Sequence, residues 1–230
     1  LASLREYCID AVAQTAIKFL YCTAGNLNEY SYNTKVFERK NTKSFIELGK
    51  SRIATVYGVG KIGKRVYEDL EANGLTVQAV DIRENELKQL PEYKDCRFTD
   101  RDTAIANSDI LINVMNLTKD KNSRFYNEGY FDEKYLLKAK KPLIFINVTR
   151  GEIAPEATLL KLYGEGKITG IAADVFSQES ELTDYLRAND FTGCRNENIL
   201  AAKEIIDEAL SRKSNFYVQP HHDKGQATFQ

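Results

Sequence analysis

Charge of one sign is what this 230-residue chain lacks first: 32 basic residues stand against 33 acidic ones. A net charge near zero leaves no electrostatic footprint for nucleic acid or for an anionic membrane surface, so neither is expected as a partner. Long hydrophobic runs are missing too. The longest, such as Pro142 to Ile146, are strand-sized, far short of the ~20 residues a membrane-spanning helix needs. No charged-then-apolar leader opens the chain. Cysteine is sparse: Cys8, Cys22, Cys96 and Cys194 lie scattered, with no C-x-x-C pair and no histidine at a zinc-ligand spacing. This excludes a metal site of that kind and favours free or buried thiols in a reducing cytoplasm over disulfides. Histidine is scarcer still, with His221 and His222 the only two, and there is no internal repeat or low-complexity linker. The chain starts at Leu1 rather than Met, which suggests a fragment or a processed chain.

What is there is an ordinary core and a regular alternation. Hydrophobic residues make up 43% of the chain and aromatics 10%, enough to bury a sizeable interior. Residues 4–21 carry apolar side chains at helical spacing, and 22–50 read as helix plus loop ending at Gly49. Beyond that, β-branched or apolar runs (52–57, 75–80, 109–115, 142–148, 169–173, 215–219) alternate with helix-like segments (62–73, 101–107, 132–140, 155–164, 200–212). Strands alternating with helices predict βαβ units, hence an α/β fold with a doubly wound parallel sheet. Residues 180–200 are polar and irregular, and are expected to form a surface excursion.

One stretch carries chemistry on its face. In ATVYGVGKIGKRVYEDLEANGLTVQAVD, residues 54–81, Gly58, Gly60 and Gly63 follow a strand and open a helix. In a dinucleotide site the first glycine permits the tight turn, the second lets backbone approach the pyrophosphate, and the third lets helix and sheet pack closely. The helix then directs its leading N–H groups at the phosphates. Asp81 ends the next apolar run, about 20 residues on, where an acid can accept hydrogen bonds from a ribose diol. A carboxylate there favours NAD over NADP. Arg83 is either a solvated charge beside the adenosine or a group that accommodates a 2′-phosphate.

The second half extends the pattern. The chain has a V-A-Q segment at 12–14, E-L-G-K at 47–50, the glycine loop, D-I-L-I-N-V-M-N-L-T at 109–118, N-V-T-R-G at 147–151, G-I-A-A-D-V-F at 170–176 and Q-P-H at 219–221. In this order these motifs resemble the D-isomer-specific 2-hydroxyacid dehydrogenases, which include D-lactate, phosphoglycerate and glyoxylate/hydroxypyruvate reductases. The resemblance implies an NAD-dependent oxidoreductase interconverting a 2-keto acid and a D-2-hydroxy acid. It assigns Arg150 to the substrate carboxylate, His221 to acid/base work and Glu179, five residues past Asp174, to the histidine's carboxylate partner. Glu181 and His222 are neighbouring alternatives. A guanidinium suits a carboxylate because its planar fork binds at two points; imidazole titrates near neutrality, which suits a group that both gives and takes a proton. On the cofactor side the resemblance implies contacts from Lys61 and Ile62 to the pyrophosphate, from Asp174 to the nicotinamide carboxamide, and from Met115, Asn116 and Val148 to the nicotinamide and ribose. Asn116 stands where the family commonly has proline.

Against the family's length, the resemblance divides the chain into a crossing helix (1–21) leading to a substrate domain largely absent from this chain, a Rossmann-like NAD-binding domain (22–219) and a catalytic-histidine segment (220–230). It further implies a homodimer formed through residues 1–50, and cofactor binding with little turnover for this portion alone. A different reading of the same residues is an NAD-sensing protein of the corepressor type.

Overall fold

Apolar runs separated by amphipathic helices become, in the computed structural model, a parallel sheet covered on both faces. The structure describes residues 8–37, 44–177 and the backbone of 216–218. Its strands are β1 (Ile53–Tyr57), β2 (Thr76–Val80), β3 (Ile110–Asn113), β4 (Leu143–Asn147), β5 (Ile168–Ala173) and β6 (Phe216–Val218). They lie in the order β2-β1-β3-β4-β5-β6, each neighbour parallel. A lone parallel bridge between Ala79 and Phe98 extends the sheet past β2. The strand order therefore reverses between β1 and β3. In such sheets the crevice outside the carboxyl ends of these two strands is where ligands bind.

The helices are α1 (Ile9–Ala24), α2 (Leu27–Val36), α3 (Lys61–Ala72), α4 (Glu84–Leu87), α5 (Arg101–Asn107), α6 (Glu133–Leu136) and α7 (Glu156–Gly164). All six expected strands form, each within two residues of its expected ends. The helix expected over 132–140 is cut to Glu133–Leu136. Asp132 caps its start by accepting from the Tyr135 N–H at 2.7 Å, but Lys138, Lys140 and Lys141 offer no apolar stripe, and Pro142 pushes the residue before it toward extended backbone. The first helix runs on to Ala24 and packs against α3, β4 and β5. The segments expected at 180–200 and 200–212 lie outside the described residues.

Parallel strands buried on both sides read as continuous apolar runs, and β3 and β4 are buried at every residue. The two faces differ in character. On one, Val56, Ile112 and Ile146 meet Ala13, Ala16 and Leu20 of α1 and Val66 and Leu70 of α3. Small alanines let α1 approach the sheet closely. The other face is aromatic: Tyr57 stands edge-on to Phe131 with centroids 4.9 Å apart, and Phe131 to Phe145 at 4.9 Å. Arg101 at the head of α5 lays its guanidinium 4.0 Å over the Tyr135 ring. Fully burying one such aromatic stabilises the fold by roughly 1.5–3 kcal/mol. Tyr135 donates its hydroxyl proton to the Arg101 carbonyl at 2.8 Å, so in the 2.9 Å contact between the Tyr57 and Tyr135 hydroxyls it is Tyr57 that donates. Burial pushes both hydroxyls above their ordinary pKa.

Candidate functional site

The site is built where the chain leaves the carboxyl ends of β1 through β5. Gly58, the first residue past β1, takes φ +84° and lies against the segment after β3. A Cβ added to it would meet the Met115 Cα and Cγ at 2.8 Å and its N at 2.9 Å. The two oppositely winding halves of the sheet thus touch at the switch point, and only glycine fits between them. At Gly63 an added Cβ would run into the Gly58 carbonyl oxygen. The turn and the first coil of α3 are therefore packed backbone on backbone. Gly60 is different: the nearest atom to an added Cβ is the Arg83 Nη2, 3.8 Å away. A Cβ there would meet only the end of that guanidinium, in ordinary van der Waals contact.

The turn has the polarity a dinucleotide needs. α3 starts at Gly60 with no side chain capping it and no acid in its first turn, so its N-terminal dipole is left to act on an anion. Gly63 is buried, Ile62 packs partly against the core and Lys61 is exposed at the rim. Asp81 closes the turn from the β2 side. Its side chain is 5% exposed; Oδ2 accepts from the Val59 N–H at 2.8 Å and Oδ1 from the Arg83 N–H at 2.8 Å. Arg83, its side chain 38% exposed, is a partly solvated charge that also pairs with this acid. The turn after β2 curls it back, and its Nε and Nη2 each lie 3.4 Å from a carboxylate oxygen of Asp81. Residues present therefore fit a dinucleotide: a glycine turn, a helix start and a buried acid.

Farther along the same edge, Met115 is half-buried, Asn116 exposed and Val148 buried. Asp174 is half-buried just past β5, and its N–H donates to the Asn147 carbonyl at 3.4 Å. Arg150 is exposed, two residues beyond Val148. Its Nη1 donates to the Thr149 carbonyl at 2.7 Å, and among the described residues it makes no ion pair. Beside it, burial pushes the Glu152 carboxyl up, but its own backbone N–H and the Lys119 ammonium at 3.0 Å outweigh that and hold it below its ordinary range. The structure thus brings Arg150 to the same edge of the sheet as the glycine turn, Met115, Val148 and Asp174. Glu179 and His221, with their alternatives Glu181 and His222, lie outside the described residues.

Three residues to which motif reading assigns no role shape this edge. Asn127 is buried and clasps the segment after β3, accepting from the Thr118 N–H and donating to the Asn116 carbonyl, each at 2.8 Å. Asn113 and Asn147, both buried, end β3 and β4. The signal was in the sequence: ILIN and LIFIN each stop an apolar run on asparagine, and a buried amide must find partners.

Known proteins share this fold. The sequence profile described as D-isomer specific 2-hydroxyacid dehydrogenase, NAD binding domain, matches residues 19–222. A glycerate dehydrogenase of Methylorubrum extorquens is 24% identical over 186 residues, covering 78% of this chain and 54% of that protein. A glyoxylate reductase of Thermofilum pendens is 33% identical over 132 residues, covering 56% and 36%. The chain thus spans about half, or less, of the length of these relatives. Among solved structures, the D-lactate dehydrogenase of Aquifex aeolicus complexed with NAD and lactic acid superposes with a TM-score of 0.75 at 22% identity, covering 95% of this chain and 61% of that one. D-2-hydroxyisocaproate dehydrogenase gives a TM-score of 0.76 at 20% identity, covering 94% and 60%. At these identities the structures attest the fold; the profile match over most of the chain attests the family. The chain belongs to the D-isomer-specific 2-hydroxyacid dehydrogenases, as their NAD-binding domain.

Proposed function

We propose that this chain is the cofactor-binding part of an NAD-dependent enzyme that interconverts a 2-keto acid and a D-2-hydroxy acid. The observation that carries the reading is the placement of two elements at one sheet edge: a glycine turn closed by the buried Asp81 side chain, and an exposed Arg150 beyond Val148 that makes no ion pair among the described residues. Gly58, Gly60, Lys61, Ile62 and Gly63 receive the pyrophosphate. Asp81 takes the ribose hydroxyls in place of part of its present bonding to Arg83. Met115, Asn116 and Val148 wall the nicotinamide, and Asp174 orients its carboxamide. NADH, when bound, supplies the hydride that reduces the substrate's carbonyl carbon.

The chain's own groups manage charge and proton. Arg150 binds the substrate carboxylate at two points and stays cationic at any working pH. His221 delivers a proton to the carbonyl oxygen as the C=O π bond opens, and withdraws the hydroxyl proton in the reverse direction. Glu179 fixes the ring and raises its affinity for that proton. The division into a crossing segment (1–21), a cofactor domain (22–219) and a catalytic-histidine segment (220–230) belongs to this reading, as does a cytoplasmic setting. So does a homodimer through residues 1–50, where Tyr21, Leu27, Tyr32, Val36, Phe37 and Phe45 are exposed; sedimentation at several concentrations tests it.

The test of function is a fluorescence titration with NADH and NADPH, on the wild type and on Asp81→Ala. Saturable NADH binding, tighter than NADPH and weakened about tenfold or more in the variant, is expected, since the lost bonds to a charged acceptor are worth about 1.5–3 kcal/mol. No binding of either nucleotide would sink the reading. A screen of 2-keto acids with NADH on the whole protein then reads out turnover.

A further inference from the structure

β3 and β4 end alike, and their register sets Asn113 beside Asn147. Both are buried, at 0% and 2% exposure. An unbroken run of hydrogen bonds passes through them. The Met115 N–H donates to Asn113 Oδ1 at 3.1 Å, Asn113 Nδ2 donates to Asn147 Oδ1 at 2.9 Å, and Asn147 Nδ2 donates to the Arg150 carbonyl at 3.0 Å. Both ends are backbone groups of fixed polarity, so neither amide can flip without losing the bond to its own loop. Thr149 adds to the joint: its Oγ1 accepts from Asn113 Nδ2 at 3.1 Å, and its N–H donates to Asn147 Oδ1 at 3.3 Å.

The bond between the two amides adds little by itself, since replacing both members of a buried hydrogen bond by apolar groups of the same shape is close to neutral. What the pair does beyond that is hold the Met115 and Thr149 N–H groups and the Arg150 carbonyl, in strands whose other residues are all apolar. The amides sit where the backbone ladder is giving out: the Val148 N–H is 3.5 Å from the Asn113 carbonyl. Side chains take over the spacing of the two strands there. On the outer rim Lys119 and Glu152 tie the same two loops at 3.0 Å, but a solvated ion pair holds geometry loosely.

Resting on the reading of Met115 as nicotinamide wall and Arg150 as carboxylate ligand, we propose that Asn113 and Asn147 are positioning residues for hydride transfer. Touching neither cofactor nor substrate, they set the distance between the loop that holds the nicotinamide and the loop that holds the keto acid. A misplacement of ~1 Å in such a pair of reactants costs about 100-fold in rate.

Two variants test it in the full chain. Asn113→Asp keeps the acceptor for Met115 and loses the donor to Asn147. Asn113→Leu replaces the amide by an apolar group of the same shape, and serves if the Asp variant fails to fold. Each is titrated with NADH and with ADP-ribose, which lacks only the nicotinamide. ADP-ribose affinity is expected to stay within about twofold of wild type while NADH affinity falls about tenfold, because only the nicotinamide end of the site has moved. Equal wild-type affinity for both ligands, a parallel loss of both, or unchanged NADH binding overturns the proposal. With a 2-keto acid that the wild type turns over, kcat is expected to fall about 100-fold with a much smaller change in KM. A whole protein that binds NADH and reduces no 2-keto acid defeats the dehydrogenase reading and with it the hydride-transfer role, and the paired titration then decides only whether the two amides hold the nicotinamide loop in place.

Discussion

The turn after β1 and the turns after β3 and β4 meet at one edge of the sheet, yet they are held by opposite means. The first is fixed by what is missing. Gly58 and Gly63 lie so close to Met115 and to each other's backbone that no further carbon fits. The others are fixed by what is present: Asn113, Asn127 and Asn147 use their side-chain amides to satisfy the backbone of residues 115–118 and 149–150. A steric joint tolerates no added atom, and a hydrogen-bonded joint tolerates no lost one. The division matches the work each must do. A pyrophosphate has to touch bare backbone, whereas the wall of a reacting pair needs directional struts.

The sharpest way to break the comparison is to add one carbon to the steric joint. Gly63→Ala sets a Cβ against the Gly58 carbonyl, and since both sides are backbone, α3 must lift away from β1. A loss of about 3 kcal/mol or more in unfolding free energy is expected. It would be read as a lowered urea midpoint at unchanged m-value. A variant as stable as wild type would show that α3 slides freely, and the tight-turn account would fall.

The same contrast explains what could be read in the sequence. Steric joints select one residue type at fixed spacing, so Gly58 and Gly63 are visible as a pattern, with Gly60 between them and Asp81 closing the next apolar run. The strands were visible for a related reason: buried parallel strands admit almost nothing but apolar residues, as in Ile110–Asn113 and Leu143–Asn147. Hydrogen-bonded joints are less legible. Asn113 and Asn147 lie 34 positions apart, and only the sheet register sets them side by side. Asn127 sits in a polar run where nothing marks it from its neighbours. The pairing of Arg83 with Asp81 hung on the curl of a turn, which composition does not specify. Helix ends were blurred where no cap or apolar stripe marks them, as at 137–140.

A smaller effect is expected from subtraction at the hydrogen-bonded joint. Asn127→Ala removes the acceptor for the Thr118 N–H and the donor to the Asn116 carbonyl, leaving two backbone groups to find water. The cost is about 1–3 kcal/mol. Hydrogen exchange at Thr118 should quicken well beyond the global change, because the loop opens locally before the sheet does. Uniform exchange throughout the chain would mean that the loop is held by its packing and not by the amide.

The smallest change tests the residue that anchors the steric joint from behind. Tyr57 precedes Gly58 and buries its ring on the aromatic face, donating its hydroxyl proton to Tyr135. Tyr57→Phe should cost about 1 kcal/mol at neutral pH, the net worth of one such bond. Alkali then reverses the order. An unfolded tyrosine ionises near its ordinary value of 10.0, while burial holds the folded Tyr57 protonated well above it. Above that pH the unfolded chain carries fewer protons than the folded one, so wild-type stability falls with a slope of up to about 1.4 kcal/mol per pH unit from this residue. Phenylalanine has no proton to lose, and the variant's curve is shallower by that amount. The two stability curves should cross near pH ~11, where about 1 kcal/mol of lost bond equals the accumulated linkage. Parallel curves through that range would mean that the Tyr57 hydroxyl reaches water in the folded state, and that the strand leading into the glycine turn is not anchored by a sealed aromatic layer.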